Sequence, residues 1–192
     1  MVRAVATHGA SFRQGAGRLC LDFVRTLRHR GRPAVNEELA DPEALRDWVN
    51  QFGVAGPAGT PSLARVRQAR RLREAVHELI TAARRGAVAS DSARELVNRM
   101  AAWPVPAPAL DPAGRLAWTA GDPVAATLAL IARDALDLVG SGAVDRVRAC
   151  ANPDCGALFH DGSRPGRRRW CSMDSCGNQS KKETLRRRTS PG

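Results

Sequence analysis

Four of the five cysteines lie near the end of the 192-residue sequence, in the pattern C-x4-C-x15-C-x4-C. They are Cys150, Cys155, Cys171 and Cys176. Two short cysteine pairs separated by a loop suit a closed tetrahedral zinc site, because each pair supplies two thiolates from one turn and the loop lets the pairs meet. The spacing therefore predicts that these four residues bind one Zn²⁺ ion.

Two other uses of four thiols fit the sequence less well. Two disulfides would need an oxidising compartment, and the first residues lack the apolar run of a secretory signal. Iron–sulfur clusters of electron-transfer proteins usually have tighter cysteine spacings. His160 lies between the pairs, and with four cysteines present we interpret it as a bystander. Four cysteine ligands leave no open coordination position, so the predicted zinc is structural rather than catalytic.

The cysteine segment has few residues with which to build an apolar core. Its sizeable candidates are Leu158, Phe159, Trp170 and Leu185. Burial of so few side chains cannot fold a segment of this size, whereas a structural zinc ion contributes about 10–16 kcal/mol. We therefore expect the segment to unfold when the metal is removed.

Short elements are expected to carry the cysteines. The residues between the pairs predict two strands joined by a turn at residues 162–166, with residues 167–170 in the second strand. A helix is expected from about Ser172 onward. Strand arginines and helix lysines could then converge on one phosphate backbone.

Positive charge is concentrated in this same part of the chain. Residues 146–192 contain 11 basic and 4 acidic residues, against 19 and 15 in the first 145. Such an excess is expected of a segment that binds a polyanion; a solvated basic tail is the alternative. Single-strand binders usually display several stacking aromatics, which favours double-stranded DNA as the partner here. The candidate nucleic-acid-binding residues are Arg164, Arg167, Arg168, Arg169, Asn178, Gln179, Lys181, Lys182, Arg186 and Arg187.

The preceding residues show helical periodicity with clear start and stop signals. Asp41 and Asp122 each precede a proline, which is typical of an N-cap followed by the first helical residue. The proline-rich stretch 103–121 predicts a small hairpin. We interpret the arginines of the longest helix, including Arg73, as a solvated face, with a second anion-binding stripe as the alternative. The predicted helices are residues 17–30, 41–53, 62–86, 91–101 and 122–140.

Two residues of the first predicted helix have unusual surroundings. Cys20 is best explained as a small buried hydrophobic residue. Asp22 lies in an otherwise apolar stretch, where a carboxylate needs an arginine partner or a helix terminus. It is also a candidate for the lining of a small-molecule pocket in the helical region.

These observations predict a mainly α, α+β chain. A helical domain with a small hairpin, residues 1–142, precedes a treble-clef-like four-cysteine zinc finger, residues 143–192, built from a β-hairpin and a C-terminal helix. No catalytic motif is recognisable, so we expect no enzymatic activity. No apolar run is long enough to span a membrane, and we expect a cytoplasmic protein.

The sequence CSMDSCGN, preceded by LFHDGSRPGRRRW and followed by KK, resembles the CGNR zinc finger. In that bacterial family the finger follows a helical ABATE domain, described as a stress-induced transcription regulator. LCLDFVRTL at residues 19–27 and LADPEALRDW at residues 39–48 also resemble the opening of the family. The resemblance implies zinc ligation by the four cysteines and DNA binding by the basic residues around them. Gln179 replaces the arginine of the family motif, so one DNA contact would be lost.

The combined interpretation is a transcription regulator whose zinc finger binds DNA. Its helical domain would sense a small molecule or form a homodimer. The alternative is a zinc-stabilised protein-interaction or RNA-binding module without DNA-binding activity.

Overall fold

The computed structural model describes residues 12–182. Four of the predicted helices begin and end within three residues of the predicted bounds. Each begins after a side chain that accepts a hydrogen bond from the first helical turn, as at Asp41, whose Oδ1 is 2.8 Å from the Ala44 nitrogen. These helices are α2 (Pro42–Phe52), α3 (Leu63–Ala83), α4 (Asp91–Ala101) and α5 (Pro123–Gly140).

The first helix is shorter than predicted. Helix α1 covers Leu19–Val24, and strand β1 (Leu27–Arg28) then pairs with β2 (Asn36–Glu37). The Thr26 hydroxyl donates a 2.7 Å hydrogen bond to the Phe23 carbonyl, and the Thr26 carbonyl accepts from Glu38. The prediction of a helix to residue 30 was wrong because Thr26 ends the helical hydrogen bonding and tertiary pairing takes over.

The core lies between the helices. Helices α3, α4 and α5 pack on one another, and α1 packs against α3 and α5. Trp48 on α2 is fully buried, with its ring stacked on Phe52 at 4.6 Å and edge-on to Phe23 at 5.1 Å between centroids. Leu45, Trp48 and Val49 are all buried, as the periodicity of α2 predicts. Cys20 is fully buried too, which confirms its interpretation as a core residue.

Arg73 lies in this core rather than on a solvated face. Its side chain is 3 % exposed, and its two terminal nitrogens donate to the two carboxylate oxygens of Glu37 at 2.6 and 2.7 Å. The interpretation of Arg73 as solvated was wrong, because the β1–β2 hairpin brings Glu37 over α3. The paired geometry compensates the burial of the charge.

The predicted hairpin is present between α4 and α5. Strand β3 (Ala107–Leu110) pairs antiparallel with β4 (Leu116–Thr119). Asp111 organises the turn by accepting hydrogen bonds from the backbone of Ala113 and Arg115.

The cysteine segment is built around a different hairpin from the predicted one. Strand β5 (Val147–Ala149) pairs with β6 (Leu158–His160), and residues 167–170 form no strand. The prediction of a strand at 167–170 was wrong because the first cysteine turn itself reverses the chain, which makes the residues on its two sides neighbours. A π-helical turn, Met173–Gly177, continues as α-helix through residues 178–182, which confirms the helix expected from about Ser172.

The cysteine segment packs directly on the helical residues. The His160 nitrogen donates to the Ala16 carbonyl at 2.7 Å, and Phe159 is fully buried. Gly17 has φ +88°, and a Cβ there would lie 2.9 Å from the His160 carbonyl oxygen. Only glycine fits that position without strain. In the part of the chain that is described, no helix has the length and apolar character needed to cross a membrane.

Candidate metal centre and nucleic-acid interface

The four predicted cysteine ligands converge on one point. The ligand atoms of Cys150, Cys155, Cys171 and Cys176 all lie within 4.8 Å of one another. The Sγ atom of Cys171 is 3.6 Å from that of Cys155 and 3.7 Å from that of Cys176. A tetrahedron with Zn–S bonds of about 2.3 Å has sulfur–sulfur edges of about 3.8 Å. The sulfur positions therefore fit a tetrahedral zinc ion.

The first cysteine turn is shaped by its own polar residues. The Asn152 Oδ1 atom accepts a 2.9 Å hydrogen bond from the Asp154 nitrogen, and the Cys155 nitrogen donates to the Asn152 carbonyl at 3.0 Å. Gly156 then adopts φ +60°, which lets the chain leave toward β6. Cys150 and Cys155 are thereby placed with both sulfurs on the same side of the turn.

The second pair comes from a helix terminus. The Ser172 side chain accepts a hydrogen bond from the Ser175 nitrogen and so caps the helical turn that carries Cys176. The Cys171 nitrogen lies 3.5 Å from the Cys150 sulfur, so this amide can donate to a ligand thiolate. Such a contact orients the thiolate and offsets part of its negative charge.

The chemistry of the cluster calls for a cation. The hydrogen bond between the sulfurs of Cys155 and Cys171 lowers the pKa of Cys155 and raises the pKa of Cys171, because the two share a proton. Burial raises the pKa of Cys176. Thiols this close cannot all ionise beside one another without a compensating charge. A divalent cation would supply that charge and displace the protons.

Two other sequence candidates lie apart from this centre. His160 is at the end of β6 and is not one of the clustered ligands. Asp22 accepts hydrogen bonds from the Ala16 nitrogen at 3.0 Å and from Arg25 at 3.3 Å. The structure thus gives Asp22 the arginine partner that its apolar surroundings require, and its role in a ligand pocket stays a prediction.

The Arg168 side chain makes its contacts within the fold. Its guanidinium donates to the carbonyls of Trp170 and Cys171 and to that of Gly15 at 3.3 Å. It also lies over the Phe159 ring at 4.6 Å from the centroid. These contacts give Arg168 a structural role, since it joins the zinc ligand loop to the residues before α1.

The other predicted basic contacts in the described region are exposed. Arg169 lies over the Trp170 ring at 5.2 Å, which leaves its charge at the surface. We call this set the basic surface. It consists of Arg164, Arg167, Arg169, Lys181 and Lys182.

The remaining predicted contacts have mixed positions. Asn178 is exposed, and its amide nitrogen lies 3.5 Å from the Asp174 carbonyl. Gln179, at the position of the family arginine, accepts a 3.4 Å hydrogen bond from the Asn152 amide. This contact links the two cysteine turns. Arg186 and Arg187 lie outside the described residues.

Asp161 is a structural residue that the sequence analysis did not single out. It is 1 % exposed and accepts from the backbone of Ser163 and Arg168 and from the Ser163 hydroxyl. These hydrogen bonds, with the Ser163 hydroxyl foremost, lower the pKa of Asp161 to about 2. Arg146 holds the same loop by donating to the Asp161 and Ser163 carbonyls. The Asp-Gly-Ser sequence is the turn signal that could have identified it.

Comparison with known families divides the chain into two matched segments. Residues 17–142 match the ABATE family, whose description is "Putative stress-induced transcription regulator". Residues 146–189 match the CGNR zinc finger. No curated protein matches the chain. The match and the four-cysteine cluster together assign one structural zinc ion to the site.

Proposed function

Because the chain belongs to the ABATE family and ends in a CGNR zinc finger, we propose that it is a cytoplasmic transcription regulator that binds double-stranded DNA. The zinc finger provides the DNA contacts. The helical body, which we take as residues 1–142, provides regulation by sensing a small ligand or forming a homodimer. Neither family is described as enzymatic.

The exposed position of the basic surface is the observation that supports DNA binding. Its five side chains are exposed on a module that the zinc ion and the Arg168 contacts hold in a fixed shape. Guanidinium and ammonium groups on a rigid support are well suited to contact phosphates of a duplex. Asp161 is buried and internally bonded, so it does not oppose the phosphates at this surface.

Salt dependence of binding tests the proposal directly. We would measure fluorescence anisotropy of a labelled random duplex with the zinc-loaded full chain over a series of salt concentrations. If all five groups contact phosphates, log K falls with log salt at a slope of about −4.5. A variant with Arg164, Arg167 and Arg169 changed to alanine is expected to show a slope shallower by about 2.7.

A charge-matched variant of the helical body is the control. Arg67 and Arg71 on α3 and Arg99 on α4 are exposed, and changing all three to alanine removes the same net charge from helices outside the finger. This variant should keep most of the wild-type slope. Equal loss in both variants would mean that only net charge matters. No binding at low salt, with zinc bound, would overturn the proposal and favour a protein-interaction module.

A further inference from the structure

A cavity of about 120 Å³ lies between the helical body and the zinc finger, and residues of both line it. We call it the interface cavity. The body contributes Arg13, Arg25, Arg28 and Arg30, and the finger contributes Asn152 and Ser175. A ligand in this cavity would contact both parts of the molecule at once.

The lining is rich in hydrogen-bond donors. Arg25 donates to Asp22 at 3.3 Å, Arg28 donates to Glu38 at 3.2 Å, and Arg30 is paired with Glu74. Each guanidinium has five N–H groups, so one carboxylate partner leaves other donors for a ligand. Among the described residues that line the cavity, Asp154 is the only acidic one.

Two polar atoms of the lining residues have no hydrogen-bond partner within the described chain. They are Nε of Arg30 and Oγ of Ser175, and both are buried. A buried polar atom without a partner is costly, and such atoms in native proteins call for an explanation. One belongs to the body and the other to the finger, yet both residues face the same cavity. Each of the two atoms has less than 1 Å² of accessible surface, so a bound acceptor group would satisfy them through rotation of the two side chains toward the cavity.

The charge around the cavity limits the kind of anion that fits. Three of the four arginines are paired with carboxylates. Cys155 and Cys176 also line the cavity, and a zinc ion with four thiolates carries a net charge of −2. A polyanion would be repelled by that centre. A compact oxyanion, held mainly by directed hydrogen bonds, remains compatible with it.

We propose that the interface cavity binds a compact oxyanion of phosphate size. This inference rests on the proposed sensing role of the helical body and gives that role a location and a ligand class. Because the ligand bridges body and finger, its binding stabilises their packing. Binding of the oxyanion would thus affect the DNA-binding finger through direct contact.

Isothermal titration calorimetry with inorganic phosphate tests the site. The zinc-loaded full chain is titrated at constant ionic strength, beside the variants Ser175→Ala and Arg13→Gln. We expect one phosphate per chain and about tenfold weaker binding in each variant, because each loses a hydrogen bond to a charged group. The assay contains no DNA, so its failure is distinct from a failure of the DNA-binding proposal.

Thr81→Val is the matched control for Ser175→Ala. The Thr81 hydroxyl is also buried without a partner, but Thr81 does not line the cavity. This variant should bind phosphate like the wild type. Ser175→Ala should keep its zinc and lose no stability without phosphate, because it removes an unsatisfied hydroxyl. Absence of saturable binding, or equal binding by wild type and both cavity variants, would overturn the proposal.

A competition experiment shows whether the phosphate group that binds in the cavity comes from a free oxyanion or from DNA. DNA binding is measured with added phosphate and, at the same ionic strength, with added chloride. If the site takes a DNA phosphate, phosphate weakens DNA binding more than chloride does, and Ser175→Ala removes that difference. If the site takes a free oxyanion, phosphate does not compete for DNA. The second result, together with binding in calorimetry, supports the proposal, whereas the first would overturn the sensing role and assign the cavity to DNA binding.

Discussion

The helical body and the zinc finger are held together in different ways. The body buries large apolar side chains such as Trp48, Phe23, Leu72 and Ile131 between five helices. Over its described residues, which end at 182, the finger fully buries one large side chain, Phe159, and otherwise depends on four sulfurs around one point. The body therefore owes its stability to apolar burial, while the finger owes it to a metal ion and to the body beneath it.

Loss of zinc should produce the largest difference in stability between the two parts, because the finger needs the metal and the body does not. Changing Cys171 to serine removes a ligand, and the expected loss is a large part of the roughly 10–16 kcal/mol that structural zinc supplies. Hydrogen exchange followed by mass spectrometry should show rapid exchange over residues 150–182, with protection kept in α3 and α5. Cys20→Ala is the control, since Cys20 is buried away from the cluster. Loss of protection in the body as well would show that it cannot fold without the finger.

Breaking the Arg73–Glu37 pair should damage the body while the finger keeps its zinc. Glu37→Gln removes the carboxylate that accepts from both terminal nitrogens of the buried Arg73 guanidinium and leaves the contact of its Nε with Glu74. We expect the free energy of unfolding to fall by about 3 kcal/mol in urea denaturation, the lower end for a broken buried pair, because Glu74 remains. Glu95→Gln, which affects an exposed pair with Arg99, should change it by less than about 1 kcal/mol. Loss of zinc from Glu37→Gln at equilibrium would show that the body and the finger are not stabilised independently of each other.

The close contact at Gly17 offers a way to loosen the junction alone. Gly17→Ala places a Cβ 2.9 Å from the His160 carbonyl oxygen at a φ of +88°. The expected loss is about 1–3 kcal/mol of the free energy of unfolding. Gly59→Ala, at a glycine with open space around it, should be close to neutral. An unchanged melting temperature for Gly17→Ala would show that the contact between residue 17 and His160 accommodates a Cβ without loss of stability.

Acid should weaken the body through His77. Burial, together with Arg30, Arg73 and Arg84, lowers the pKa of His77 to about 4. Between about pH 6.5 and 4 the unfolded chain therefore binds the proton more readily, and stability falls as pH falls. Because the ring is partly exposed, we expect a contribution of about 1–2 kcal/mol. Urea denaturation of zinc-loaded His77→Gln should show a shallower pH dependence; a parallel curve would contradict the assignment.

The sequence predicted what is encoded locally. Asp41 and Asp122 cap α2 and α5 because an N-cap and a proline act within one turn. The four cysteines could be identified as ligands because a metal imposes their spacing. Both kinds of signal lie within short stretches of chain.

Features that depend on distant partners could not be predicted. The end of α1 is set by the hydrogen bond from Glu38 to Thr26, and the burial of Arg73 is set by Glu37. Arg168 was predicted to contact DNA, but its neighbours in sequence give no sign of the Phe159 ring and the Gly15 carbonyl that it contacts. Sequence charge therefore overstates the number of arginines available to DNA.

The hydrogen bonds of His160 and Arg168 to residues that precede α1 also bear on how such a protein can evolve. A recombination event that joined residues 146–189 to another carrier would remove the Ala16 and Gly15 carbonyls from His160 and Arg168. The transferred segment would keep its metal ligands but lose the surface that completes it. We therefore expect the two segments to be inherited as a pair.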